Sequence, residues 1–224
     1  MKRKIITILK VVFVVLIILS CINIYKWYKE NKRVKDIVSN VSTYLTVKDE
    51  VYSIDDEIIK YNPDTIGWLK VDNTSINYPV VKGSDNKYYL NHDYYKDKNS
   101  AGWIFMDSNN KLDDQNIVIY GHHRRDGSMF GTIDNLFKNH DDSKILLVIN
   151  GENRYYQIFS VYKISNDDYY ITKNFEDFDK ALEIFKSRSV YDYKKDLSNV
   201  GQIITLSTCS NDNKGRLVIH AYKI

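Results

Sequence analysis

The hydrophobic pattern divides the chain near residue 28. From Ile5 to Ile24 the run "IITILKVVFVVLIILSCINI" is broken by a single charge, Lys10. Twenty such residues form a helix about 30 Å long, the depth of a bilayer core, and a lysine near one end can reach the headgroups. The residues that close the run, Ser20 to Ile24, fit a small-x-small cleavage site poorly. Leu19 stands where a lipidation signal ending at Cys21 wants a small residue. The pattern therefore predicts an uncleaved anchor. Basic residues flank it on both sides, Lys2, Arg3 and Lys4 before, Lys26, Lys29, Lys32, Arg33 and Lys35 after, so charge alone leaves its orientation open.

After the anchor the period changes. A polar helix is expected over about Lys29 to Tyr44. A second short helix is expected from Ser53, with Asp56 three residues on in a capping-box arrangement, and "YNPD" at 61–64 to end it. Then come eight short apolar runs of strand type: 67–71, 76–81, 102–107, 116–121, 144–150, 154–164, 201–209 and 216–224. Eight such runs with turn signals between them predict a closed or nearly closed β-barrel. Residues 129–137 read as a short helix or turn. Residues 174–188 place Phe178, Ala181, Leu182 and Phe185 at helical spacing, an amphipathic helix inserted between strands. The layout is a tip and anchor at 1–28, then one domain at 29–224, made of a helical part (29–62) and a barrel (63–224).

Composition adds mainly exclusions. The chain has 224 residues, 43% hydrophobic and 27% charged, with 2 Pro and 9 Gly, the make-up of an ordinary globular domain. A formal charge of +3 gives no ground for nucleic-acid binding. There is no zinc-type Cys/His spacing, no P-loop and no GxGxxG. Nineteen tyrosines read as compositional bias alongside Lys, Asn and Ile, not as a carbohydrate-stacking surface.

Candidate chemistry centres on "TLSTCS", which puts Cys209 at the end of a strand and just before a polar turn. With Cys21 in the anchor, Cys209 is the one cysteine of the outer domain, so no disulfide can form within it. A buried cysteine packing as a small hydrophobe is one reading, and a thiolate nucleophile is the other. Of five histidines, His122 in "IVIYGHHRRDGSMF" is best placed as its partner, because it follows an apolar strand and a glycine and so stands at a strand end. His123 adjoins it. His220 alternates within the last strand and reads as structural, while His92 and His140 fall in polar loops. Arg216 opens the last strand, and a hairpin would set it across from Cys209. There it could stabilise an oxyanion, or serve merely as a strand-edge charge.

"YGHH", "TLSTC" and the arginine that opens the next strand resemble the His, Cys and Arg motifs of the sortases, membrane-anchored cysteine transpeptidases of Gram-positive bacteria. "NPDTIGWLKVDNTSINYPVVKGSDNKYYL" and "AGWIFMD" are similar to the class B branch. The turn between Cys209 and Arg216, "SNDNKG", is short for that branch. The resemblance implies an eight-stranded barrel outside the membrane with the N-terminus inside. It implies Cys209 as nucleophile toward the threonine carbonyl of a C-terminal sorting signal on a secreted protein. His122 would be acid and then base, and Arg216 a clamp on the oxyanion and substrate backbone. Ser207, Thr208, Asn86 and Leu90 would line the groove, with the 174–188 helix and the loop around it as one wall. The acceptor would be an amine of a cell-wall peptide or its lipid-linked precursor, and no metal or organic cofactor is implied. A hydrolytic cysteine peptidase and a non-catalytic, membrane-tethered wall-binding module remain as alternatives.

Overall fold

The computed structural model describes residues 2–138, 142–165, 167–209 and 215–224. Helix α1 (Lys2–Ser42) runs unbroken through the anchor and the polar segment behind it. No glycine or proline precedes Pro63, so nothing in the backbone stops it. Its first half is apolar and exposed on every side, long and apolar enough to cross a membrane. Its last turns bury one stripe, Asn31, Val34, Ile37 and Val41, with the three apolar members in the same cluster as Trp68 and Tyr78 of the barrel. Arg33 adds ion pairs to Asp93 and Asp97. One helix thus belongs both to the candidate span and to the outer domain.

The expected helix at Ser53 is instead a hairpin, β1 (Leu45–Lys48) and β2 (Val51–Ile54). Asp49 and Glu50 take positive φ, 51° and 63°, the two-residue turn that matches strand twist. Ser53 pairs with Thr46 across the hairpin. The helical turn starts later, over Asp56–Lys60, and its cap is Asp55, whose Oδ1 accepts the Glu57 N–H at 2.9 Å.

Eight strands form the barrel: β3 (Thr65–Val71), β4 (Asn77–Val81), β5 (Phe105–Met106), β6 (Asn116–Tyr120), β7 (Lys144–Ile149), β8 (Glu152–Ile164), β9 (Ile203–Cys209) and β10 (Arg216–Lys223). It closes in the order β10-β8-β7-β3-β4-β5-β6-β9. The run at 102–107 yields only two strand residues, because Gly102 at φ +59° and a Trp103 N–H to Tyr89 O bond of 2.9 Å hold its first half as a loop. Residues 133–137 form a 3₁₀ turn. Helix α2 (Phe178–Arg188) is capped by Asp177 and buries Ala181, Leu182 and Phe185 against Phe159, Tyr162, Ile203 and Val218 on the outside of the barrel. Many tyrosines serve the interior. Tyr89, Tyr156 and Tyr162 are buried, and their hydroxyls meet Asp64, Gln202 and His220 at 2.7, 3.0 and 2.8 Å.

Candidate active site

Two strand pairings bring the predicted residues to one rim. β6 and β9 run parallel, with Tyr120 opposite Ser207, and Gly121 N–H continues the ladder to Ser207 O at 3.3 Å. Two more residues along each strand lead to His122 and Cys209. β10 returns antiparallel to β9 in a register that sets Arg216 directly opposite Cys209 and Leu217 opposite Thr208. Residues 210–214 of the joining turn lie outside the described residues, as does His140.

His122 donates Nε2–H to the Leu90 carbonyl at 2.7 Å, since a carbonyl can only accept. That leaves Nδ1 as the nitrogen able to exchange a proton. Two glycines permit the approach. A Cβ on Gly102 would lie 2.5 Å from Tyr89 O, 2.9 Å from Leu90 O and 2.9 Å from His122 Cδ2. A Cβ on Gly121 would lie 2.9 Å from the Phe130 ring. His123 turns elsewhere, its side chain 3% exposed and its Nε2 2.8 Å from Asp134 Oδ2.

His122 and Arg216 share a cleft of about 180 Å³ with Asn86, Leu90, Ser207 and Thr208. Tyr120 and Asn86 reach its edge from Asp107. The Tyr120 hydroxyl donates to Asp107 Oδ2 at 3.0 Å and Asn86 Nδ2 donates to the same oxygen at 2.9 Å, while Lys173 Nζ stands 3.4 Å from Oδ1. Burial and that carboxylate push the Tyr120 phenol far above its usual range, so it stays a donor. Asn86 Oδ1 accepts the Ser108 N–H at 2.7 Å, so both ends of this amide are held. A larger groove, about 550 Å³, lies elsewhere between residues 53–59 and the ends of β3 and β7. It is lined by no His, Cys or Arg among the described residues, so its size does not recommend it over the smaller cleft.

A model of the sortase domain matches residues 69–224. The chain belongs to the sortase family. Sortase B of Listeria monocytogenes is 36% identical over 212 residues, 85% of each chain. A sortase B-like protein of Bacillus anthracis superposes with a TM-score of 0.73 at 33% identity, covering 88% of this chain and 97% of that one. A Staphylococcus aureus sortase B–substrate complex gives 0.65 at 30% identity, over 88% and 94%. The sortase is therefore a class B enzyme with the family's transpeptidase role.

Sequence reasoning missed part of this sortase's cleft. Phe105, Tyr120, Gly121, Asp168, Tyr170 and Ile171 also line it. The second wall is the short segment 168–171, part of the loop expected around the 174–188 helix, while α2 itself lends it no residue. The Tyr170 hydroxyl lies 3.0 Å from Ser207 Oγ, which ties that wall to β9. A signal for Tyr120 existed, since it ends the strand that leads to His122. The 165–173 stretch has no periodicity to reveal its role.

His220 of the sortase is structural, as its alternation predicted. Asn116 Nδ2 donates to Tyr170 O and Thr172 O at 3.0 and 2.8 Å, so its Oδ1 must accept, and it does so from Thr205 Oγ1 at 2.6 Å. Thr205 Oγ1 can then only accept from His220 Nδ1, at 2.8 Å, and His220 Nε2 accepts from the Tyr162 hydroxyl at 2.8 Å. The neutral Nδ1–H tautomer satisfies every link. Burial, with the Arg188 charge adding to it, depresses the His220 pKa to about 3.

Proposed function

We propose that this chain is a membrane-anchored sortase that cleaves a C-terminal sorting signal of secreted proteins and joins the new carboxyl end to an amine of the cell wall. The reading rests on one observation above all, the register that sets Arg216 opposite Cys209 at the end of β9, beside the strand that leads to His122.

In this reading the Cys209 thiolate attacks the backbone carbonyl carbon of the signal's threonine. Arg216 holds the oxyanion and a backbone oxygen through its planar guanidinium. His122 gives a proton to the leaving amine as the tetrahedral intermediate collapses, and a thioester remains. An amine of the wall peptide, or of its lipid-linked precursor, attacks that thioester. His122 takes its proton, Arg216 again holds the oxyanion, and Cys209 leaves as thiolate. The substrate peptide lies along Leu90, Asn86, Ser207 and Thr208, which share the cleft. The S. aureus sortase B solved in complex with its substrate supports substrate binding on this fold. Residues 1–28 form the inner tip and anchor, and 29–224 the extracellular catalytic domain.

The test is product analysis with a panel of sorting-signal peptides, each run with and without an added amine. A ligated product that needs the amine is expected, together with complete loss of turnover in Cys209→Ala. Cleavage at the same rate and to the same acid product with or without amine would replace transfer by hydrolysis. Turnover by the alanine variant would remove Cys209 as nucleophile.

A further inference from the structure

The stretch of α1 just past the apolar run carries a pattern that catalysis does not use. Residues 25–36, "YKWYKENKRVKD", hold five basic and two acidic side chains. Tyr25, Trp27 and Tyr28 are 68%, 55% and 59% exposed, in direct continuation of the exposed apolar run. Lys26, Lys29, Lys32 and Lys35 recur at every third position, and all four are exposed. At about 100° per residue, Lys32 and Lys35 lie more than a quarter turn from each of Val34, Ile37 and Val41, and Lys29 lies about 80° from Ile37. The remaining basic residue, Arg33, is engaged by Asp93 and Asp97, and Glu30 accepts from Ser100. The four lysines take part in no ion pair among the described residues, and Asp36 is the one acidic side chain left on this stretch to offset them.

The two halves of the pattern fall at different depths. Aromatic rings with a polar edge settle at the headgroup level. If Ile24 ends the apolar span, Lys26 to Lys35 lie about 3 to 17 Å further along the helix axis. The headgroup layer is roughly 5–8 Å thick on each side. The nearer lysines are thus within it, and the farther ones within reach of its surface potential. A fan of exposed lysines that begins where the apolar run stops is complementary to phosphate-bearing lipid.

We propose that residues 25–35 form an aromatic and basic collar that binds the anionic phospholipid headgroups of the membrane α1 enters. The collar rests on the reading of residues 5–24 as a membrane span. Because α1 is continuous into the barrel, lipid bound there fixes the height and tilt of the catalytic domain as well as the anchor.

The experiment uses the full chain in phosphatidylcholine vesicles with Trp27 as energy donor. Trp68 and Trp103 are buried in the core, and their signal is removed by subtracting that of Trp27→Phe. Transfer is measured to a trace of dansyl-labelled phosphatidylglycerol and, separately, of dansyl-labelled phosphatidylcholine at equal density. Greater transfer to the anionic probe is expected. The excess should vanish between about 0.01 M and about 1 M salt, as the Debye length contracts from ~30 Å to ~3 Å. It should also vanish in the K26Q/K29Q/K32Q/K35Q variant. Equal transfer to both probes at low salt, or an excess that survives the four substitutions, overturns the collar. Co-flotation with vesicles after alkaline carbonate reports the span separately. Its loss would overturn the span, and the collar with it, whereas equal transfer with co-flotation intact would overturn the collar alone.

Discussion

Acid should destabilise this protein through one buried side chain. His220 sits between Tyr162 and Thr205 and stacks on Phe185 with ring centroids 4.0 Å apart. Its folded pKa of about 3 lies below the 6.5 of an unperturbed histidine, because burial, and then the Arg188 charge, oppose protonation. The unfolded chain therefore binds the proton that the folded chain refuses. The stabilising contribution is complete above pH 6.5 and is lost as pH falls from 6.5 toward 3. Between pH 7 and pH 5 the loss from this residue alone is about 2 kcal/mol, at 1.36 kcal/mol per pH unit over the part of the window crossed.

The measurement is chemical denaturation in mild detergent at pH 7, 6 and 5, for the wild type and for His220→Gln. Glutamine does not titrate and can still accept from Tyr162. It should lower stability at pH 7 by removing the ring packed on Phe185, so the quantity that matters is the difference in pH dependence. The wild type should lose about 2 kcal/mol more than the variant over that range. Parallel curves would mean that His220 titrates alike in both states, and that the one-directional hydrogen-bond chain described above is not how the site is held.

Gly102→Ala should lower both Tm and kcat/KM. Its φ of +59° alone makes alanine cost about 1–2 kcal/mol, and the atoms its Cβ would displace include the Leu90 carbonyl that holds His122. A variant that loses stability but keeps full activity would separate Leu90 from the positioning of His122. His122→Ala should reduce kcat/KM on the order of 10²-fold or more, whereas His123→Ala should act mainly on stability through the lost Asp134 contact. Equal losses of activity would undo that distinction. Arg216→Lys keeps the charge but not the two-pronged geometry, so kcat/KM should fall by about 10²-fold with the fold unchanged. Near-wild-type activity would leave the arginine only a charge role.

The barrel was legible because its strands are apolar runs bounded by turn signals, and their order along the chain survives into the structure. The Cys–Arg pairing was legible for a local reason: a turn between two runs makes a hairpin, and a hairpin fixes what stands opposite what. The pairing of β6 with β9 was not, since a parallel contact between strands so far apart leaves no mark in either run. Ser53 misled because a serine three residues before an acid fits a cap, while the same residue also fits a strand in "VYSI". The run at 102–107 misled because Gly102 needs a positive φ that its neighbours do not announce. The loop beside the 174–188 helix was expected as a wall, but Asp168, Tyr170 and Ile171 within it could not be singled out, because an irregular segment has no period to read.

The parallel pair explains why the candidate residues collect at one rim. Strands that run side by side in the same sense deliver whatever follows them to the same end of the barrel. β6 delivers His122 there and β9 delivers Cys209, and the turn back into β10 starts at that same end with Arg216. An antiparallel β6 would have carried the histidine to the far rim, whatever its distance in sequence. The same rim is braced from the other side by α1. Asn31 accepts from Arg124, two residues past His122, and Arg33 binds Asp93 and Asp97, just past Leu90. The two loops that hold the histidine are therefore fastened to the helix that continues into the apolar segment. In the membrane-anchored reading proposed above, where that helix stands relative to the bilayer is also where the cleft stands, so the reach of the cleft is set by α1 as much as by the barrel.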